Sequence, residues 1–365
     1  MKNKSLHLAI GLAVSVFFLW LAFRNVDVGE LWAAFQQTNW LWAIPFLLIT
    51  IGNFYYRSIR WRILLGPAKW VSSHRLFGPL MIGFGFNNIF PARAGEFARP
   101  LALLKQDQVP YGAGFSSVLL ERLVDMLCLL ILFILLPLYF RIDPNIEQEL
   151  WGFRLDASRL EDLSWQMSLM AMVLTAGLLT FLIPPMKRFY LSVLHWLPIV
   201  PGFVKEKLES FVNSFTTGLS TIKSPFLVTM VAFHTAVVWG TIAFSYQVMS
   251  WGFPGFTITF AQAVGFMVVT CVAISIPSSP GYWGPFELGG MVALMMVGVP
   301  EGPALAFTML VHFLQWAPTT VIGLFYAGKL HVSHQEAEHF AEEIPPEPPL
   351  AEQDTAAGGD TAREA

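Results

Sequence analysis

The sequence predicts an all-α, polytopic integral membrane protein of about eight transmembrane helices, with broken or re-entrant segments and the outline of an internal repeat. Three observations predict it. Of 365 residues, 55% are hydrophobic and 13% are charged, where a soluble domain carries about 25% charged residues. Mean hydropathy is +0.56, too apolar for the polar residues present to cover a soluble core. Apolar stretches recur at lengths near the roughly 20 residues a helix needs to cross a bilayer. The same numbers exclude a disordered chain, a collagen and a secreted disulfide scaffold. Cys128 and Cys271 both lie in apolar stretches and read as small core residues.

The elements follow in order. Ser5 to Phe23 is preceded by Lys2 and Lys4 and followed by no small-residue cleavage site, so it reads as an uncleaved anchor. Residues 28–38 have helical period and suit the interface. The second span is about Trp40 to Tyr56. Between 57 and 75 lie Arg57, Arg60, Arg62, Lys69 and Arg75 with no acid, which marks a cytoplasmic loop and a cytoplasmic N-terminus. Leu76 to Phe90 is apolar but short, and Gly83, Gly85, Asn87 and Asn88 interrupt it. PARAGEFARP (91–100) follows, and a long helix then runs from near Ala113 to Phe140. Segment 141–165 holds 6 acids and 3 basic residues and reads as external, so 76–112 must enter and return on the cytoplasmic side.

Residues 166–185 then run inward, 203–222 form an amphipathic cytoplasmic helix, 225–250 run outward and 256–276 run back. A second break, IPSSPGYWGPFELGG (276–290), precedes a short apolar stretch to Val299 and a last span over 304–326. Eight crossings are expected to place both termini in the cytoplasm. Trp20, Trp40, Trp42, Trp61, Trp165 and Trp251 fall near span ends, as interfacial tryptophans do. The membrane domain is thus 1–328. The tail, 329–365, holds 9 acidic and 2 basic residues and is expected to be disordered from about His334.

Charge at membrane depth is costly, so each such residue is a candidate for function. Arg93, Glu96 and Arg99 are spaced i, i+3, i+6 and share one face if helical. With Pro91 and Gly95 they suit a half-helix N-terminus that holds a phosphate; alternatively, Arg–Glu pairs close the broken backbone. Glu121 and Asp125, with Arg122 between them, face together and want a cation, most simply an arginine of the first group. They read as a lock between the re-entrant segment and this helix, or as part of a site. Glu287 stands in the second break, where it accepts a proton, pairs with an arginine or caps a helix. Both breaks join a short apolar half-span, a Pro/Gly turn and a carboxylate, the pattern of a repeat built around a binding site. His234 and His312 read as packing histidines, and the grouped His331, His334 and His339 as a solvated helix end. Ser278 and Ser279 have no base nearby in sequence. No nucleotide loop, HExxH or CxxC occurs, so no cofactor, metal or nucleic acid is expected.

SIRWRILLGP (58–67), NNIFPARAGEFARPLALLK (87–105), LLERLVDMLCLL (119–130) and IPSSPGYWGPFE (276–287) together resemble the lysylphosphatidylglycerol synthase transmembrane-domain family, the flippase-like integral membrane proteins. The likeness spans about 5–328. It implies a helical fold and lipid movement between leaflets, with aminoacylated phosphatidylglycerol or isoprenoid-linked sugars as substrates. It also implies that Arg93, Glu96, Arg99, Glu121, Arg122, Asp125 and Glu287 occupy the family's polar positions. Tyr282 and Trp283 stand where many relatives carry small residues. Full synthases carry a soluble transferase domain after the membrane part; here an acidic tail follows, so lysyl-lipid synthesis is not expected and a partner enzyme would supply it. The expected function is non-enzymatic lipid transport in a bacterial inner membrane. The alternatives are a membrane enzyme acting on a lipid-linked substrate and a scaffold for an envelope-lipid synthase.

Overall fold

The computed structural model describes residues 2–343 apart from 25, 67, 92, 144–146, 151–152, 277–278 and all but three positions of 180–224. The described chain is helical except for one antiparallel hairpin, Glu147–Leu150 with Phe153–Asp156, in the segment read as external. The helix expected over 203–222 falls, but for Lys205, outside the described residues.

Helix α1 (Lys2–Phe23) precedes α2 (Val28–Gln37), and Gly11–Phe23 meets α2 at 83°. Asp27 caps α2 by accepting the Gly29 N–H at 2.7 Å. α2 buries Leu31 and Ala34 and exposes Trp32, the amphipathic helix expected over 28–38. A 3-10 turn at Trp40–Trp42 leads into α3 (Ala43–Leu65). α3 runs past its expected end at Tyr56, because no glycine or proline follows that residue before Gly66. Arg57 and Arg60 are therefore buried helical residues, not members of a basic loop.

α4 (Ser73–Ile89) is continuous through Gly83, Gly85 and the two asparagines. The chain breaks at 90–94, and α5 (Gly95–Asp107) returns antiparallel to α4. The helix pair meets at Gly83 and Gly95, where a Cβ on Gly95 would fall on the Gly83 carbonyl. Glycine is needed there for backbone approach. α6 (Tyr111–Ile134), the short α7 (Leu136–Tyr139) and α8 (Ala157–Leu179) follow. Then come α9 (Pro225–Ser250) and α10 (Phe260–Ala273), the latter opened by a Thr259/Gln262 capping box. Across the second break lie α11 (Pro285–Met295), α12 (Glu301–Leu330) and α13 (His334–Glu343).

One order of elements occurs twice: long helix, short helix, break, short helix, long helix. It covers α3–α6 and again α9–α12. α3 packs on α9 and α4 packs on α12, so the two runs interlock.

Among the described residues, two helices, Pro225–Ser250 and Glu301–Leu330, are long and apolar enough to cross a membrane, and the bent α1–α2 pair is a third candidate. Length and composition therefore do not confirm the eight crossings expected. α3 and α6 have the length but carry Arg57, Arg60 and Arg62, and Glu121, Arg122 and Asp125. α4 and α10 are short, at 17 and 14 residues.

The tail departs from expectation in its described part; 344–365 lie outside the described residues. It is helical over His334–Glu343, with Ser333 and Glu336 forming the reciprocal cap. Lys105 of α5 reaches Glu336 at 2.8 Å and the His331 carbonyl. Lys105 and the Ser333 cap hold the Glu336 carboxyl below the usual carboxylate range. A depressed value means the contact helps at neutral pH and is lost as pH falls through that lowered value. Lys105→Ala is expected to weaken docking of α13 by about 0.2–1 kcal/mol, as for other exposed pairs. Faster protease cleavage within 334–343, at neutral pH and low salt, checks it.

Candidate functional site

Four helices meet around one buried group of charges. Arg60 of α3, fully buried, grips Asp125 of α6 with both terminal nitrogens: Nη1 to Oδ1 at 2.5 Å and Nη2 to Oδ2 at 3.0 Å. Such bidentate pairs fix geometry as well as charge. Arg60 Nη1 also donates to Thr235 Oγ1 of α9 at 3.1 Å, and its Nη2 lies 3.3 Å from Glu121 Oε1. Glu121 Oε2 accepts from Arg99 Nη2 of α5 at 2.7 Å. Asp125 Oδ1 accepts the Trp239 indole N–H at 3.2 Å, and Arg57 lies 3.8 Å from Oδ2 while donating to Asn53. The Arg99 guanidinium lies 3.6 Å from the Trp61 ring centre, in cation–π contact. Trp61 is itself fully buried and donates to Ser117 at 2.9 Å, so it is a core residue and not an interfacial one. This arrangement is a clamp joining α3, α5, α6 and α9.

The sequence-predicted residues therefore divide. Glu121 does meet an arginine of the first group, Arg99, as expected. Asp125 instead takes Arg60 and Arg57. The shared face of Arg93, Glu96 and Arg99 does not form, because Arg93 lies in the turn before α5 with φ of +54°. The helix starts at Gly95, not at Pro91. Glu96 faces Arg122 at 3.5 Å instead, both half-buried. The crevice between Asn87, Glu96, Arg99 and Arg122 is too tight to hold a water molecule; Arg99 gives its Nη2 to Glu121 and its plane to Trp61, while its Nε and Nη1 have no hydrogen-bond partner among the described residues.

Glu287 closes the second break. It is fully buried, and its Oε2 accepts the Gly284 N–H at 2.7 Å, capping α11. Its Oε1 lies 2.5 Å from His312 Nδ1, and His312 Nε2 lies 2.9 Å from the Gly281 carbonyl. Phe286 stacks on the imidazole at 4.1 Å, with Trp283 at 4.4 Å. Glu287 thus caps, as one of its readings held. The two runs match here: in each, the short helix after the break sends a buried side chain to the middle of the next long helix, Arg99 to Glu121 and Glu287 to His312.

Between the breaks is a cavity of about 400 Å³. Asn87, Phe90, Pro91 and Arg93 line it from the first break; Ser275, Ile276, Ser279, Pro280 and Tyr282 line it from the second. Its size falls in the range of small-ligand sites, about 300–1,000 Å³. Arg93 is the charged residue on its wall, is exposed, and makes no ion pair among the described residues. Ser279 is tied to Ser15 of α1, its Oγ accepting at 2.7 Å and its N–H donating at 2.9 Å.

The profile of the lysylphosphatidylglycerol synthase TM region matches residues 8–323. The chain belongs to that family. The family match takes in both breaks, the clamp and the cavity. Two curated relatives share a third of the chain each. The glycosyltransferase AglD of Haloferax volcanii is 28% identical over 118 residues, 32% of this chain and 19% of that protein. The UPF0104 membrane protein MJ1595 of Methanocaldococcus jannaschii is 26% identical over 128 residues, 34% of this chain and 38% of that protein. These matches span less than two fifths of either relative's length. No solved structure matches the chain.

Sequence reasoning missed Arg57, Arg60 and His312 as site residues in this family member. For the arginines a signal existed: the uninterrupted helical run from Asn53 to Leu65, with Asn53, Arg57 and Arg60 on one face. For His312 there was none, since its partner lies 25 residues away across a break.

Proposed function

We propose that this protein binds a phosphate-bearing lipid by its headgroup in the cavity between the two breaks and moves it between leaflets without chemical change. The lipid is an anionic phospholipid, an aminoacyl-phospholipid or an isoprenoid-linked lipid. One observation carries the reading: each arginine of the clamp faces a carboxylate, while Arg93 lies on the cavity wall and makes no ion pair among the described residues. A guanidinium matches a phosphate with two parallel N–H donors. In this reading the chain crosses the inner membrane eight times with both termini cytoplasmic, and the acyl tails stay in the bilayer. A separate lipid-modifying enzyme supplies any headgroup chemistry.

The test is lipid translocation in vesicles that carry the purified protein and a headgroup-labelled anionic phospholipid. Arg93→Ala is expected to slow loss of label from the inner leaflet at least tenfold, with unchanged protein stability, because the Arg93 side chain makes no ion pair among the described residues. Equal rates for wild type and variant would remove the phosphate role.

A second reading is favoured by one observation, the partial likeness to a protein named a glycosyltransferase: an enzyme acting on a lipid-linked substrate. Transfer of a labelled sugar to lipid by the pure protein, lost in Arg93→Ala, would favour it over transport.

A further inference from the structure

We infer that Glu287 and His312 form a proton-binding site that holds the turn lining the cavity between the two breaks. This inference goes beyond the lipid reading and does not require it.

The argument is a count of donors and acceptors. The Gly281 carbonyl, 2.9 Å from His312 Nε2, only accepts, so Nε2 carries a hydrogen. The other ring nitrogen, Nδ1, lies 2.5 Å from Glu287 Oε1. A neutral ring with its hydrogen on Nε2 would turn a lone pair onto an ionised carboxylate at that distance, which is repulsive. One further proton must lie between the two atoms. The pair is then either imidazolium with carboxylate or imidazole with carboxylic acid, and it is neutral overall in both. The remaining carboxyl oxygen, Oε2, accepts the Gly284 N–H, so every polar atom of the pair is used.

The surroundings contain little else that titrates. α1 from Gly11 onward, α10 and α11 hold no charged residue other than Glu287. Cys271 is the titratable residue of α10. On α12, Glu301, Tyr326 and Lys329 lie about 17, 21 and 26 Å along the axis from His312 at the helical rise. On α4, His74 and Arg75 sit at the end away from the break. The turn itself adds Tyr282, and Arg93 lies across the cavity.

Loss of the proton has a specific consequence. With Glu287 ionised, the neutral ring keeps its better bond by moving its hydrogen to Nδ1. Nε2 then presents a lone pair to the Gly281 carbonyl, and that bond is lost. Gly281 and Tyr282 have φ of +76° and +62°, a conformation that the tyrosine adopts only when held. Pro280 and Tyr282 line the cavity. The proton therefore fixes one wall of the cavity, and its release frees that wall.

The experiment measures hydrogen exchange of the backbone at 279–284 in the full-length protein in lipid nanodiscs across a pH series, corrected for the intrinsic rate. In wild type, protection is expected to fall about tenfold as pH is raised past the point where the proton leaves, the effect of losing one hydrogen bond. Glu287→Gln imitates the protonated pair: its carbonyl accepts from Gly284 and its amide donates to Nδ1. It is expected to keep the turn protected at every pH. His312→Gln is expected to leave the turn unprotected throughout, and if that variant does not fold, Glu287→Gln alone decides. Nitrogen-15 spectra of His312 and the carboxylic-acid infrared band of Glu287 locate the proton directly. A neutral imidazole together with an ionised Glu287 at low and neutral pH would overturn the inference. So would a wild-type pH response that Glu287→Gln leaves intact. None of these readouts measures lipid movement, so their outcome is separate from that of the translocation assay.

Discussion

Asp125→Ala is expected to destabilise the protein by about 3–5 kcal/mol, the cost of breaking a buried ion pair by removing one partner. It leaves Arg60, fully buried, without its two shortest bonds, and it leaves the Trp239 N–H without an acceptor. Arg57 loses its nearest carboxylate as well. Glu121 lies 3.3 Å from Arg60 but already holds Arg99 and cannot neutralise both. The direct check is thermal or denaturant unfolding of the purified variant. If charge pairing is the cause, removing both partners with apolar residues, Arg60→Leu with Asp125→Leu, should cost less than the two single changes summed. Additive losses would mean that the residues act separately and that there is no clamp. The clamp assigns Glu121 and Asp125 to structure. A folded fraction of Asp125→Ala is therefore expected to bind lipid as the wild type does.

Gly95→Ala is expected to cost about 3 kcal/mol or more, at the top of the range for overpacking. The added methyl would fall on the carbonyl of Gly83 and beside the Asn87 side chain. Neither backbone can give way without parting α4 from α5. Asn87 Oδ1 also accepts the Gly95 N–H at 2.9 Å, so separation would lose the bond that sets the first break. Cavity and clamp both lie next to this contact. The expected result is lower unfolding temperature together with weaker lipid binding, whereas Arg93→Ala should affect binding alone. A Gly95→Ala protein of normal stability would show that the helices are not held at that distance.

Much of this was legible in the sequence, and the reasons for the rest are physical. Composition fixes the helical membrane class, because backbone polar groups in lipid must be bonded within helices. The i, i+4 spacing of Glu121 and Asp125 correctly called for arginine. What spacing does not reveal is where a helix begins. Arg93, Glu96 and Arg99 share a face only if the helix includes Arg93, and the left-handed turn at that residue excludes it. Arg57 and Arg60 were hidden by their company. Lysine and arginine following an apolar run look alike whether they lie beyond the membrane or are buried against carboxylates, and only the missing helix breaker before Gly66 separates the cases. His312 and Glu287 are paired by a fold across a break, which no local pattern encodes.

The most direct test of the account is the set of lipids that co-purify with the protein, identified by mass spectrometry in wild type, Arg93→Ala and Lys105→Ala. The account predicts a phosphate-bearing lipid enriched over the bulk membrane in wild type and in Lys105→Ala, and lost in Arg93→Ala, with all three proteins folded. The same lipid bound equally to Arg93→Ala, or a profile no different from the bulk membrane, would contradict it.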